Sequence, residues 1–274
     1  MKDVQNEKDE RCIPLNNVGV KGVSIPLKVK DKTHKFQKVQ AKVKATVSLN
    51  MEQKGVHMSH IIDPLFKLSQ GYGLKDMVNI ATEIRNKQTI ENDNEIVTEN
   101  AKIELDFMYF VDKVAPVSKV ESKLGYKVSF IVDMPDKKIT RIKVPVSTCC
   151  PCSLELCNGK AAHNQRGIIT IELEQNIKDK TTYWFEDVIT AAENAGSCEI
   201  YPVLRRPDEK YVTDKMFANA KFVEDVVRDT VINLSKFVDK CVVRVSCENM
   251  ESIHDHSAFA DTQIILMKGV GEKE

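Results

Sequence analysis

The twenty residues from Thr148 to Gly167 hold Cys149, Cys150, Cys152, Cys157 and His163, half of the chain's eight cysteines and one of its six histidines. Thiolates and imidazoles are soft and borderline ligands, so at this density metal binding is the first chemistry to weigh. Three readings stay open on these residues alone. A closed zinc knot would take Cys157 and His163 as its second ligand pair, although Cys-x4-Cys-x5-His matches no common knuckle. Buried thiols without metal are the second reading. The third is a catalytic site in which some of these residues ligate a metal and their partners arrive from elsewhere in the chain.

Such partners are present. Glu251-Ser-Ile-His-Asp-His256 offers a carboxylate and two imidazoles within six residues, a set that suits a divalent ion with an open position for water. Ser197 to Lys210 is polar and interrupted by Pro202 and Pro207; it reads as an active-site loop, with Glu209 as a ligand or base. Glu224 stands near the start of an apolar helical stretch. A solvated glutamate is the default there, and a partly buried one would accept two hydrogen bonds.

The elements that must carry these groups follow from periodicity. Val23, Ile25, Leu27 and Val29, then Val39 to Leu49, alternate with polar residues and predict a long hairpin. Its outward face carries Lys38, Lys42 and Lys44, a pattern that keeps a strand face solvated and discourages edge pairing. Asp63-Pro64 reads as a helix start, and Gly71-Tyr-Gly73 as a break before a second helix bearing Leu74, Met77, Val78, Ala81 and Ile84. Ile103 to Val111 and Val128 to Met134 are two further strands. Ile142 to Val146 and Ile169 to Ile177 are expected as strands, Tyr183 to Ala195 as a helix with Gly196 as its C-cap, and a second helix capped by Asn219 through Leu234. Cys241 to Cys247 and a strand through Leu266 close the chain.

The order strand, strand, helix, helix, strand, strand therefore occurs twice. It predicts an α+β protein of two antiparallel modules with helices on one sheet face, residues 17–136 and 137–274, behind a flexible leader, 1–16. A length of 274 residues fits that division.

With 40 basic and 40 acidic side chains the chain has no global field to recruit nucleic acid or an anionic membrane. No run approaches the ~20 apolar residues of a membrane span, and the polar N-terminus lacks the core of a signal peptide. A cytoplasmic protein with reduced thiols is expected.

Six ordered motifs carry a family resemblance: GVHMS at 55–59, CPCS at 150–153, AHNQRG at 162–167, SCEIYPVLRRPDEK at 197–210, NAKFVEDVVRD at 219–229 and ENMESIHDHSAFA at 248–260. Together they resemble type IB GTP cyclohydrolase I, over nearly the whole chain. The resemblance implies tandem tunnelling-fold modules, a homotetramer, and hydrolysis of GTP to formate and 7,8-dihydroneopterin triphosphate, the entry step of pterin and folate synthesis. It implies a divalent metal, zinc or manganese, held by Cys150, Glu209, Glu251 and His254, and activating water for attack on C8 of the purine. His163 resembles the histidine that holds water or moves protons beside the metal. Glu224 resembles the carboxylate that anchors guanine, accepting from N1–H and the exocyclic amine as a pair. Arg166, Arg205, Arg206 and Lys210 are the candidate cations for the triphosphate.

Where the family usually has an arginine after GVHMS this chain has His60, the gap from CPCS to His163 is one residue longer, and Cys149 and Cys157 match no family role. Two competing readings are a nitrile reductase of deazapurine synthesis, suggested by Glu121-Ser-Lys123 but not by the four residues that follow, and a non-catalytic zinc module. The second leaves Glu224 and Glu251 unexplained.

Overall fold

The structure, a computed structural model, describes residues 4–5, 7–70, 74–90, 98 and 100–267. It is a mixed α/β protein built on a large antiparallel sheet, and it divides into two compact units, each assembled from separate stretches of chain. Unit 1 comprises residues 1–108, 129–140 and 175–181, and unit 2 comprises 109–128, 141–174 and 182–274.

In unit 1, β1 (Leu15–Lys30) and β2 (Phe36–Leu49) form the expected hairpin, followed by α1 (Met58–Lys67), a 3-10 turn (Leu68–Gln70), α2 (Leu74–Ile90) and the start of β3 (Ala101–Val114). Alternation decides which face is inward: Ile25, Leu27 and Val29 pair with the Ala41 to Gln37 side of β2, and all three are buried. A bulge between Lys21 and Val23 falls at Gly22, whose φ of +84° suits glycine. Ile61, Leu65, Leu68, Met77 and Ile84 are buried along the helices, each contributing about 1.5–3 kcal/mol of hydrophobic stabilisation. Asp63-Pro64 does not open α1, because the helix begins at Met58 behind His57 and carries Pro64 inside it, among its buried residues. The expected break at 71–73 lies outside the described residues.

The first residues are tied to the segment after β2: Asp9 N–H donates to Glu52 O at 2.8 Å and Lys54 N–H to Glu7 O at 3.2 Å.

Beyond the first part of β3 the chain forms β4 (Glu121–Asp133), β5 (Lys137–Cys149), α3 (Pro151–Leu156), β6 (Asn164–Asn176), α4 (Phe185–Glu193), β7 (Cys198–Glu199), α5 (Arg206–Ala218), α6 (Val223–Ser235), β8 (Cys241–Met250) and β9 (Ser257–Leu266), all in unit 2 except residues 129–133 of β4, 137–140 of β5 and 175–176 of β6, which belong to unit 1. The strands run in the order β3-β4-β5-β6-β8-β9, with β7 paired to β5. Val188, Ile189, Val226 and Leu234 of the helices and Val144, Ile171, Val243 and Val245 of the sheet are buried.

Three local expectations change. Residues 206–218, read as part of a polar loop and its sequel, form α5. Asn219 ends α5 instead of starting α6, and its Nδ2 donates to Gly196 O at 3.0 Å and Ser197 O at 3.1 Å; the N-cap of α6 is Phe222. Gly196 is not the C-cap of α4, a place taken by Asn194. Its glycine is required because a Cβ there would come 2.7 Å from the Cβ of Val146.

Candidate functional site

Every candidate metal-ligating side chain belongs to unit 2. Cys150 closes β5 and caps α3: its φ and ψ are extended, Pro151 occupies the first turn, and its Sγ accepts from Ser153 N at 3.4 Å. The loop after α3 returns so that Cys150 N–H donates to His163 O at 3.1 Å. Ser153 also fixes the far side of this loop, since His163 N–H donates to Ser153 Oγ at 3.3 Å. Cys150 and His163, thirteen residues apart in sequence, therefore stand side by side.

Glu251 reaches the same place through the sheet. β6 pairs with β8 so that Arg166 faces Met250, which leaves Glu251 just beyond the end of the ladder beside Gln165 and His163. Its Oε2 lies 3.5 Å from His163 Nδ1, with side-chain exposures of 11% and 16%. Gln165, buried, places Oε1 3.0 Å from the same Nδ1. Both neighbours of Nδ1 are acceptors, so the proton of the neutral ring belongs on Nδ1 and Nε2 is the atom left to accept one.

Glu251 Oε2 is buried and makes no hydrogen bond, a costly condition for a carboxylate oxygen. A cation would relieve it. Thiolate, imidazole and carboxylate are together a donor set that fits a divalent ion, and in that chemical sense Cys150, His163 and Glu251 fit the metal the family implies. Glu209 and His254 stand apart: Glu209 is exposed in the first turn of α5, and His254 is exposed in the turn between β8 and β9, its ring stacked on His256 at 4.9 Å. Among the described residues no group of three or more His, Cys, Asp or Glu side chains is gathered closely enough to hold an ion.

Glu224 is exposed in the first turn of α6. It rims a groove of about 510 Å³ between α6 and β9, whose walls are largely apolar, from Val227, Val231, Ala260 and Ile264. Arg166 and Arg206 are both exposed, the first on β6 and the second at the start of α5.

Two groups absent from the sequence reading hold this site in place. Gln165 fixes the imidazole of His163, and its position inside AHNQRG, two residues on, was the available signal. Asp208 is fully buried and accepts four hydrogen bonds: from Val117 N and Ser118 N, each at 2.8 Å to Oδ1, and from Ser118 Oγ at 2.5 Å and Arg205 N at 2.8 Å to Oδ2. Burial pushes its pKa up, but the bonds from Ser118, Arg205 and Val117 outweigh it and hold the carboxyl far below the ordinary range. Pro207 followed by an acidic residue, a helix-start signature, was the signal for it.

Behind the site, Cys149 and Cys198 pack with Met216 and, at their margin, Val212 and Phe217 of α5. These thiols are core residues: burial pushes Cys149 up from its ordinary pKa and Cys198 up to about 12.

The sequence model of the family described as type I GTP cyclohydrolase folE2 matches residues 1–260. Proteins named GTP cyclohydrolase FolE2 are similar along their whole length. That of Thermosipho melanesiensis is 40% identical over 271 residues, covering 98% of this chain and 100% of its own. That of Thermotoga maritima is 40% identical over 265 residues, with 95% and 96% covered. That of Citrifermentans bemidjiense is 37% identical over 262 residues, with 95% and 93% covered. Among solved structures, the uricase of Arthrobacter globiformis aligns over 94% of this chain and 96% of that one with a TM-score of 0.45 and 7% identity, a likeness too remote to bear on function. The family model spans the segments that carry Cys150, His163, Glu209, Glu224 and Glu251, and the chain belongs to the type I GTP cyclohydrolase family described as FolE2.

Proposed function

We propose that the protein hydrolyses GTP to formate and 7,8-dihydroneopterin triphosphate, supplying the pterin from which folates are built. The observation that carries the reading is the family match over residues 1–260. In net terms one water is consumed: two waters enter, at purine C8 and at the resulting formamide, and closure of the pterin ring returns one.

A divalent ion, zinc or manganese, would be held by Cys150, Glu209, Glu251 and His254, with His163 beside it. The buried, unbonded Oε2 of Glu251 supports this set, and the exposed Glu209 and His254 would join it in the loaded enzyme. When bound, the ion supplies Lewis acidity that activates water toward the purine. His163, its Nδ1–H directed at Gln165 Oε1, takes and returns protons at Nε2 as the C8–N9 bond opens and formate leaves. Glu224 accepts from guanine N1–H and the exocyclic amine, and the apolar wall of Val227 and Val231 beside it suits a purine face. Arg166 and Arg206 meet the triphosphate.

The tandem tunnelling-fold arrangement, with modules 17–136 and 137–274 behind the leader 1–16, and a cytoplasmic homotetramer complete the proposal. It is supported by the first unit's order of two strands, helices and a return to strand, and by the lack, among the described residues, of any helix long and apolar enough to cross a membrane. The test is direct. Protein loaded with zinc or manganese and given GTP should release formate and yield a pterin that fluoresces after oxidation. No turnover with any divalent ion would overturn the activity.

A further inference from the structure

The connector between α5 and α6, residues 219–222, is tied to β5, to the turn after α4 and to α6 itself, all within unit 2. Lys221 N–H donates to Cys149 O, at the end of β5, at 3.0 Å. Asn219 Nδ2 donates to Gly196 O at 3.0 Å and Ser197 O at 3.1 Å, and Ala220 between them packs on the buried Cys149 and Cys198. Ser197 closes the ring: its N–H donates to Ser147 O at 3.0 Å, and its Oγ accepts from Cys149 N at 3.2 Å.

The side chain of Lys221 adds the tie to α6. It is only 16% exposed, and Nζ donates to Ala195 O at 3.1 Å and to Asp229 Oδ2 at 2.7 Å. Asp229 lies on α6, so one ammonium joins that helix to the carbonyl just past α4, while the backbone of the same residue joins β5. An ammonium at this burial is costly without partners, which holds it to the arrangement that supplies both.

The consequence is a fixed separation. Cys150 follows Cys149 by one residue and Glu224 follows Lys221 by three, so a single hydrogen bond joins the two stretches. With consecutive Cα atoms ~3.8 Å apart, Glu224 stands no more than about 11 Å from Lys221, and less because residues 223 and 224 are already wound into α6. The backbone that carries the proposed base anchor and the backbone that carries Cys150 therefore meet at Lys221.

We infer that Lys221 is a positioning residue for recognition of the base: by locking α6 to the strand end that leads into Cys150, it fixes where the Glu224 carboxylate stands, and with it how sharply the protein selects a purine bearing an exocyclic amine. This rests on the anchoring role given to Glu224 above and goes beyond it by naming what fixes the anchor. Lys221 acts through Glu224 and not on the nucleotide, since its Nζ is already taken by Ala195 O and Asp229.

The test compares GTP with inosine triphosphate, which keeps N1–H and the triphosphate and lacks only the amine. Dissociation constants for both are measured by calorimetry on the full chain with chelator present, so that no turnover occurs. The unaltered protein should prefer GTP about 10- to 100-fold, the worth of one hydrogen bond to a charged acceptor, and Glu224→Gln should remove most of that preference. Lys221→Met, which deletes both side-chain bonds and keeps the backbone one, should lower the preference about 3- to 10-fold. Lys221→Arg, able to reach the same two acceptors, should retain it. Lys221→Met combined with Glu224→Gln should show no lower preference than Glu224→Gln alone, because nothing is left to position. An unchanged preference in Lys221→Met alongside a lowered melting temperature would overturn the inference and leave Lys221 a structural tie. Equal weakening of both nucleotides would overturn it too, by marking a contact with the triphosphate they share. No preference in the unaltered protein, or an unchanged one in Glu224→Gln, would instead remove the anchor and the inference with it. Asp229→Asn, which loses the ion pair and leaves Ala195 O served, should lower the preference by less and keeps the test available where Lys221→Met fails to fold.

Discussion

His163 Nδ1 lies 3.5 Å from Glu251 Oε2, a buried carboxylate oxygen to which no group donates a hydrogen bond. In the free protein this oxygen is a liability, and in the loaded protein it is the proposed ligand. Losing a group that merely supports a ligand costs about 10- to 100-fold in metal affinity, so Glu251→Gln should cost at least about 100-fold. Its melting temperature without metal should hold or rise, since the uncompensated buried charge is gone. Zinc titration and thermal melting of the same sample check both halves, and unchanged zinc affinity would remove Glu251 from the set.

Cys150 has two separable duties. Its sulfur caps α3 by accepting from Ser153 N, and its thiolate is the proposed ligand. Serine caps a helix at least as well as cysteine, so Cys150→Ser should retain stability within about 0.5 kcal/mol, while Cys150→Ala should lose about 1 kcal/mol. Both should lose GTP turnover. Urea unfolding and formate release on the two variants separate cap from ligand.

Thiol labelling should sort the eight cysteines by position. Cys12, Cys152 and Cys157 are exposed, whereas Cys149, Cys198, Cys241 and Cys247 are buried, with Cys247, like Cys198, pushed up to about 12 by burial. With zinc bound, iodoacetamide at pH 8 should modify only the three exposed thiols. After chelation Cys150 should become the fourth, as peptide mass mapping will report.

Glu199 gives stability a dependence on acid. Burial alone would raise its carboxyl, but its bonds with Lys215 and Tyr201 bring it down from 4.5 to about 2. A carboxylate whose folded pKa is depressed contributes fully above its unfolded pKa and loses that contribution as pH falls through the folded one. Stability should therefore drop between about pH 4.5 and pH 2, and Glu199→Gln should flatten the drop in that window. At pH 7 the variant should cost about 2–3 kcal/mol, below the loss for a fully buried pair because Lys215 still reaches water. Urea unfolding at pH 7, 4 and 3 measures both effects.

The alternation of Val39 to Leu49 is enough to find β2, and the stripe from Val223 to Leu234 is enough to find α6. Helix α5 hides because its buried side is short, chiefly Val212 and Met216, and because Arg205-Arg206-Pro207 resembles a loop until Asp208 is seen to be buried under the β3–β4 turn. Of the site, Cys150 and His163 share one stretch of sequence, and only their closeness needed the backbone bond between them. Glu251 reaches His163 by the register of β6 on β8, a long-range choice that no local pattern dictates. The buried condition of Asp208, and the exposure of Glu209 one residue later, are likewise set by partners ninety residues away.

The discontinuity of the two units bears on how the chain is made. Unit 1 includes residues 175–181, so its last piece is not translated until the unit 2 stretches 109–128 and 141–174 have been laid down. A ribosome cannot release a finished first half and then begin a second. Unit 1 must wait for a segment that follows two stretches of unit 2, which makes the growing chain dependent on late closure, and no single cut divides it into two fragments that each hold one whole unit.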